Sequence, residues 1–140
     1  MPATHLEFVV HSVPAPQPRH TISRKTGVAF IKAGNPIHQF KSDLKSQVRE
    51  KYTGPVMGGP IALSCVFLLP RPQNMIWKKK PMPREKHVKK PDTDNLIKAV
   101  KDALTGILWR DDSQVWYETA MKFVHAGDES PCVLINVTEA

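Results

Sequence analysis

The chain has 140 residues and carries 20 Lys and Arg side chains against 13 Asp and Glu, a formal charge of +7. Its length predicts one domain spanning 1–140, and a hydrophobic fraction of 41% argues against a disordered chain. No apolar run is long enough to span a bilayer and the first residues do not resemble a secretory signal, so we expect a cytoplasmic protein with no membrane partner. The basic excess favours an anionic partner, chiefly nucleic acid.

In chain order, apolar periodicity predicts a strand, an amphipathic helix, a second strand, a second helix and two final strands. An extended proline segment, Pro14–Pro18, and a short β-like piece, Val28–Lys32, precede the first helix. That helix covers Pro36–Tyr52, where apolar residues recur every three or four positions and Pro36 suits the first turn. The predicted strands are Leu6–Val13, Ile61–Leu69, Val115–Val124 and Cys132–Thr138.

The second predicted helix begins at Thr93 or Asp94 and ends near Thr105–Gly106, with its apolar residues on one arc and its charged residues on the other. In the strand that follows, alternation places Val115, Tyr117, Thr119, Met121 and Phe123 on one face. These elements predict an α/β fold, a single domain with a mixed β-sheet flanked by two main helices. The two cysteines, Cys65 and Cys132, lie in apolar segments, which predicts buried thiols rather than a disulfide.

The positive charge is concentrated, because ten of the 20 basic residues lie between Arg71 and Lys101. Most of them belong to Pro70–Pro91, a segment with five prolines and no helical period, which we predict to be a long basic loop contacting DNA (70–91). Trp77 stacks there on an unpaired base or anchors the loop on the core; both interpretations are open. The candidate DNA-binding residues of this loop are Lys78, Lys79, Lys80, Arg84, Lys86, Lys89 and Lys90.

Acidic residues flank the second helix, with Asp92 and Asp94 at its start and Asp111 and Asp112 after its end. If the following strand packs back along the helix, these carboxylates approach one another and repel unless a cation lies between them. Oxygen ligands without nearby Cys or His suit Mg²⁺, with Mn²⁺ as a substitute, and this equipment activates water against a phosphodiester. Each acidic feature also has a structural explanation: a helix cap at Asp92, a surface pair of Asp102 with Lys98, and an acidic turn at Asp111–Asp112.

Residues 89–115 include KKPDTDNLIKAVKDALTG followed by WRDDSQV, and this combined motif resembles the core signature of the RusA-type Holliday junction resolvases. The resemblance implies a RusA-like fold and a small, dimeric, Mg²⁺-dependent endonuclease of a bacterium or prophage. It implies that Asp92, Asp94 and Asp112 are the catalytic, metal-binding carboxylates, that Asp111 assists them at the metal, and that Lys98 is the catalytic lysine. Arg19 becomes a further candidate for binding phosphate.

The expected function is therefore paired symmetric nicking of Holliday junctions in DNA recombination and repair. The expected partners are a four-way junction or other branched DNA and a second copy of the chain, because a twofold dimer presents two active sites to two equivalent strands. No small-molecule cofactor is expected. Two alternatives remain open from the sequence: a less selective nuclease acting on flaps or forks, and a non-catalytic DNA-binding protein whose carboxylates only cap helices and balance lysines.

Overall fold

The computed structural model describes residues 4–140, and its centre is a five-stranded sheet with two helices on one face. The strand order is β1-β7-β4-β6-β5, and every neighbouring pair is antiparallel except β4 and β6. This is the mixed α/β architecture that the sequence predicts. The elements are β1 Thr4–His11, β2 Thr21–Ile22, β3 Ala29–Phe30, α1 Ile37–Lys51, β4 Ile61–Leu69, β5 Glu85–Lys86, α2 Thr93–Leu104, β6 Val115–Val124 and β7 Cys132–Glu139.

Both helices begin and end close to their predicted limits. Pro36 adopts helical backbone angles immediately before α1. Because proline has no backbone N–H, it leaves no unpaired donor at the start of the helix, as expected for a first-turn proline. After α2, Gly106 adopts a φ of +89°, a left-handed conformation that stops the helix and that L residues rarely take. No helix among residues 4–140 is long and apolar enough to cross a membrane.

The core lies between the sheet and the two helices. Strand residues such as Leu63 and Phe67 pack there against Phe40 of α1 and Leu96 of α2, all of them almost fully buried. Trp109, in the connection after α2, is the largest fully buried side chain of the described residues. Cys65 and Cys132 are buried free thiols, which confirms that prediction, and burial raises the pKa of the Cys65 thiol well above its ordinary value.

The pairing of β6 with β4 determines which β6 side chains face the helices, and the sequence of β6 alone does not show this. In the parallel pairing, Glu118 and Lys122 lie beside Leu63 and Phe67, so these two charged residues occupy the helix-facing side of the strand. The opposite side carries Tyr117, Thr119, Met121 and Phe123, and Met121 there is 51% exposed. Val115 does not share that face, because it pairs with buried Ile61 before a register shift and packs against the core, so the prediction of one face was wrong at its first residue. Charged residues of β6 therefore lie next to α2, where functional side chains were expected.

The segment 70–91 is more ordered than the predicted basic loop. It contains a 3₁₀ turn at Gln73–Met75 and the short edge strand β5, which pairs with the end of β6. Arg71 is buried and donates to the carbonyls of Met75, Pro83 and His125 at 2.7, 3.1 and 3.1 Å. We call this segment the basic loop below. Most of the segment lies outside helices and strands, and buried Arg71 ties its two halves to the strand connection after β6.

A second, separate sheet precedes α1. The predicted β-like piece at Val28–Lys32 is confirmed as β3, but its partner β2 was not predicted because two residues are too short for a visible period. Both strands are exposed along their whole length. The result is a two-stranded hairpin that stands away from the core.

Candidate active site

A cleft of about 490 Å³ runs beside α2 on its charged side. Asp94, Lys98 and Lys101 line it from successive turns of the helix, since positions four and three apart lie on one face. Asp112 and Glu118 line it from the other side. The structure thus brings three of the four predicted catalytic residues, Asp94, Asp112 and Lys98, to one cleft.

The start of α2 supplies two carboxylates, those of Asp92 and Asp94, that do not cap the helix through their side chains. Asp92 occupies the N-cap position of α2, yet its side chain makes no capping hydrogen bond; its nearest cationic partner is the Lys90 amine at 3.9 Å. This arrangement removes the capping explanation for Asp92. Its carboxylate lines a neighbouring depression that shares Asn95 with the cleft. Asp94 accepts only the N–H of Asn95, at 3.0 Å, and lies in no ion pair with any described residue.

Asp112 is held in place from behind by a short chain of hydrogen bonds. The Thr105 hydroxyl, at the end of α2, has two acceptors for its one proton, Asp112 Oδ1 at 2.5 Å and the Lys101 carbonyl at 2.7 Å, and it accepts from the indole N–H of Trp109 at 3.1 Å. Because Trp109 is completely buried, this chain connects a partly exposed carboxylate to the rigid core. One oxygen of Asp112 is thereby fixed while the other remains available to the cleft.

Asp111 does not line the cleft, and its assisting role at the metal stays a prediction. Its carboxylate accepts the N–H of Ser113 at 2.9 Å, and this bond holds the pKa of Asp111 below its ordinary value. Gln114 completes a capping box by accepting the N–H groups of Asp111 and Arg110 at 2.9 and 2.7 Å. The turn that carries Asp112 is therefore stabilised from both sides.

Gln114 also attaches that turn to the start of β4. Its amide donates to the carbonyls of Met57 and Gly59, both at 2.9 Å. Every hydrogen-bonding group of this side chain is thus used. Sequence reasoning missed Gln114, although the spacing Asp111-x-x-Gln114 is a recognisable capping-box signature.

Two residues of β6 join the site without having been predicted. Glu118 lines the cleft and accepts from the Lys101 amine at 3.0 Å. Lys122 donates to the carbonyls of Lys89 and Pro91, the latter at 2.7 Å, and so fixes the backbone immediately before Asp92. Only the register of β6 reveals them, and that register depends on pairing with β4, distant in sequence.

The donor chemistry of the cleft fits a hard divalent cation, but the carboxylates are not gathered around one point. Asp94 and Asp112 offer oxygen ligands that form no ion pair within residues 4–140, which suits Mg²⁺ or Mn²⁺. Within residues 4–140, no three His, Cys, Asp or Glu side chains are close enough together to hold a metal ion. Asp94 lies at the first turn of α2 and Asp112 at its last, with the two cleft lysines along the helix between them.

Asp102 lies outside this cleft and stabilises the helix pair. Its carboxylate is 3.8 Å from the amine of Lys41 on α1. The alternative that pairs Asp102 with Lys98 was therefore wrong, because the neighbouring helix supplies the closer cation. Lys98 is left without an ion-pair partner among the described residues.

The predicted DNA-binding residues fall into two groups. Arg84 is engaged within the protein, since its guanidinium forms a two-pronged pair with Glu129 at 2.5 to 3.0 Å. Trp77 is half-buried between cations, with Arg71 4.9 Å and Lys80 4.1 Å from its ring centre, which favours the loop-anchor interpretation. The remaining candidates are exposed: Arg19, Lys78, Lys79, Lys80, Lys86, Lys89 and Lys90.

Comparison with known proteins agrees with this arrangement. The family of endodeoxyribonuclease RusA matches residues 12–138, nearly the whole chain. The protein belongs to the RusA endodeoxyribonuclease family. A curated relative, the uncharacterized protein YqaN of Bacillus subtilis (strain 168), is 29% identical over 141 residues, covering 96% of each chain. Its name adds no activity to the comparison.

Family membership confirms the resemblance noted in residues 89–115 and makes the chain an endodeoxyribonuclease of the Holliday junction resolvase class. Nucleases of this family act on Holliday junction DNA and are generally dependent on a divalent metal. The alternative of a non-catalytic DNA-binding protein is set aside by the same finding.

Proposed function

We propose that this RusA-family protein is a Mg²⁺-dependent, structure-selective endonuclease that nicks opposite strands of a four-way junction symmetrically. The single observation that carries the proposal is the cleft beside α2, which combines Asp94, Asp112 and Lys98 on a strongly basic chain. Asp94 and Asp112 lie there without an ion pair to any described residue, so their oxygens are available to a hard cation.

Asp92, Asp94 and Asp112 hold the ion in this proposal, and Mn²⁺ substitutes for Mg²⁺. In the described residues these three carboxylates do not form one compact group of ligands. When bound, the ion activates water and stabilises the leaving oxygen of the phosphodiester. Asp111 assists from outside the cleft by capping the turn that orients Asp112.

Lys98 neutralises charge that develops on the scissile phosphate, because its amine lines the cleft and lies in no described ion pair. The exposed lysines of the basic loop and Arg19 bind the junction arms through phosphates, without reading sequence. Trp77 and Arg84 contribute indirectly in this proposal, by holding the loop in shape.

The test replaces Asp94 and Asp112 separately by Asn and measures Mg²⁺-dependent cleavage of a synthetic four-way junction. Each variant should lose more activity than the ~10–100-fold that loss of a mere supporting partner costs a metal site. Junction binding in EDTA should be retained or slightly tighter, because a negative charge is removed. A thermal shift on adding Mg²⁺ or Mn²⁺ should occur in the unaltered protein and shrink in both variants.

Asp128→Asn is the matched control, since Asp128 is exposed in the connection after β6 and does not line the cleft. It should cleave and bind like the unaltered protein. Undiminished cleavage by either cleft variant would overturn the site assignment, and cleavage that persists in EDTA would overturn the metal requirement.

A less selective nuclease acting on flaps or forks is the remaining alternative. Cleavage of a four-way junction, a fork and a linear duplex at matched concentrations separates the two. Junction resolution requires paired nicks at symmetric positions of the four-way substrate and little product from the duplex.

The proposal includes a homodimer, because two equivalent strands must be nicked and a twofold dimer presents one cleft to each. The sheet face opposite the helices is compatible with such an assembly, since it exposes apolar side chains including Tyr117 and Met121. Analytical ultracentrifugation should give a mass near twice 15.7 kDa. A monomer on and off the junction would contradict this part of the proposal.

A further inference from the structure

The hairpin of β2 and β3 is a basic element of which the sequence analysis and the proposed function use only Arg19. Residues 18–34, which we call the hairpin arm, include Arg19, Arg24, Lys25 and Lys32 and contain no Asp or Glu. None of these four cations forms an ion pair with any described residue. The arm is therefore a surface of uncompensated positive charge.

The arm is attached to the rest of the molecule beside the candidate active site. Just before it, the Gln17 N–H donates to the carbonyl of Asn95 at 3.0 Å, one residue after Asp94. Pro16 and Asp92 line the same depression. At its other end, His38 in the first turn of α1 is hydrogen-bonded to the carbonyl of Lys32 at 2.9 Å. A substrate strand at Asp92 and Asp94 thus lies next to the base of the arm.

The turn at the end of the arm is well formed and presents two cations. Ser23 N–H donates to the carbonyl of Val28 at 3.0 Å, and Gly27 N–H donates to the carbonyl of Ser23 at 2.8 Å. Gly27 has a φ of +70°, a backbone conformation in which a residue with a side chain would be strained. Arg24 and Lys25 lie inside this turn and are exposed. Their position is therefore set by the backbone, not by contact with the core.

Exposed apolar side chains on the hairpin arm also indicate that a partner covers it. Ile22 and Val28 are 68% and 62% exposed, and Phe30 is 42% exposed, although two-stranded ribbons are marginally stable alone. Such a ribbon has the width that the major groove of B-DNA admits. Charge decides between partners: a second copy of this +7 chain is repelled by the arm, whereas a polyanionic duplex is attracted.

We propose that the hairpin arm binds a duplex arm of the DNA substrate next to the cleaved strand, with Arg24 and Lys25 contacting phosphates. This inference rests on the proposed function and adds a second DNA-contact element, separate from the basic loop. The arm positions the substrate and takes no part in the chemical step.

The test is the double variant Arg24→Ala/Lys25→Ala in the full chain, with binding of a labelled four-way junction measured by fluorescence anisotropy in EDTA. Binding should weaken about tenfold at moderate salt, and the slope of log affinity against log salt should fall by about 1.8. The charge-reversal variant Arg24→Glu/Lys25→Glu should weaken binding further.

The matched control is Lys45→Ala/Arg49→Ala, which removes the same charge from exposed positions of α1. It should leave binding and salt slope close to those of the unaltered protein. Thermal melting should be unchanged in the tip variant, since both side chains are exposed and form no ion pair with any described residue.

The outcomes separate this inference from the proposed function. If the tip variant binds as tightly as the control variant, the hairpin proposal is overturned and the active-site assignment stands. A changed oligomeric state in the tip variant would show that a second copy covers the arm, which also overturns it. If the unaltered protein binds junctions without cleaving them, the proposed function fails while the binding measurement still decides the role of the arm.

Discussion

The cleft beside α2 and the basic loop carry complementary parts of the proposed activity, and the protein positions them in opposite ways. In the cleft, individual side chains are fixed: Asp112 is held through Thr105 to buried Trp109, and its turn is held by Gln114. In the basic loop, the backbone is fixed by Arg71 and Arg84, while the lysine side chains remain exposed.

This difference follows from what each region must do. A metal-assisted hydrolysis loses rate steeply when a reacting group moves by an ångström, so its ligands need rigid support. Phosphate contacts act through charge, and flexible lysines reach them from many backbone positions. We therefore expect substitutions near the cleft to change rate, and substitutions on the loop to change affinity and its salt dependence.

Outside the cleft carboxylates themselves, the largest expected effect comes from removing the side chain that supports the Asp112 turn. Gln114→Ala leaves four backbone groups without their partners, which should lower the free energy of unfolding by about 2–4 kcal/mol. Freed from β4, the turn should misplace Asp112 and reduce the cleavage rate by roughly 100-fold. Urea unfolding and single-turnover cleavage measure the two effects. Gln73→Ala is the matched control, because Gln73 is exposed in the basic loop; an equal effect there would erase the contrast between the regions.

The loop side of the comparison is tested by replacing Lys78, Lys79 and Lys80 together with Ala. Junction affinity should fall roughly tenfold or more, with the salt slope lowered by about 2.7, because up to three phosphate contacts are lost. The single-turnover rate at saturating protein should be retained.

Lys98→Ala provides the opposite pattern, with a reduced rate and nearly unchanged affinity, since its side chain lines the cleft. Anisotropy in EDTA and cleavage in Mg²⁺ separate them, and matching profiles for the two variants would contradict the division of labour.

The sequence predicted the fold well because its signals are local. The α2 motif, with acidic residues at its start and Gly106 after its end, defined the helix within a residue, and periodicity located the four long strands. The sequence does not show which strands pair when they lie far apart in the chain. The side of β6 that faces the helices depends on its parallel register with β4, so Glu118 and Lys122 were missed although both lie beside the predicted site.

The site itself was predicted by residue type more accurately than by arrangement. Asp94, Lys98 and Asp112 do line one cleft, but the spacing of acidic pairs at the two ends of α2 could not show that Asp111 caps a turn or that Thr105 anchors Asp112. Nor could a run of basic residues reveal which cations are already paired, as Arg84 is with Glu129. These distinctions depend on side-chain contacts between segments far apart in the chain.

A smaller effect tests the anchor of Asp112 alone. Thr105→Val keeps the shape of the side chain but removes the hydroxyl between Trp109 and Asp112. The cleavage rate should fall by roughly tenfold, the lower end of the cost of losing a partner of a metal ligand. Thr119→Val is the control, because the Thr119 hydroxyl bonds Ser64 at 2.7 Å on the opposite face of the sheet. Single-turnover cleavage compares them, and an equal loss in both would remove the specific role of Thr105.

The smallest expected effect concerns the ion pair that holds the basic loop to the connection after β6. Bonding to Arg84 keeps the pKa of Glu129 below its ordinary value of 4.5, so the pair stabilises the folded protein above that pH and the contribution is lost as pH falls through the lower folded value. Glu129→Gln should therefore cost less than about 1 kcal/mol near neutrality, since the pair is partly exposed. Thermal melting of the unaltered protein and the variant should differ at pH 7 and converge towards pH 3. Glu50→Gln, an exposed carboxylate of α1, should show no such convergence. A difference for Glu129→Gln that persists or grows in acid would mean that packing, and not charge, joins the loop to the sheet.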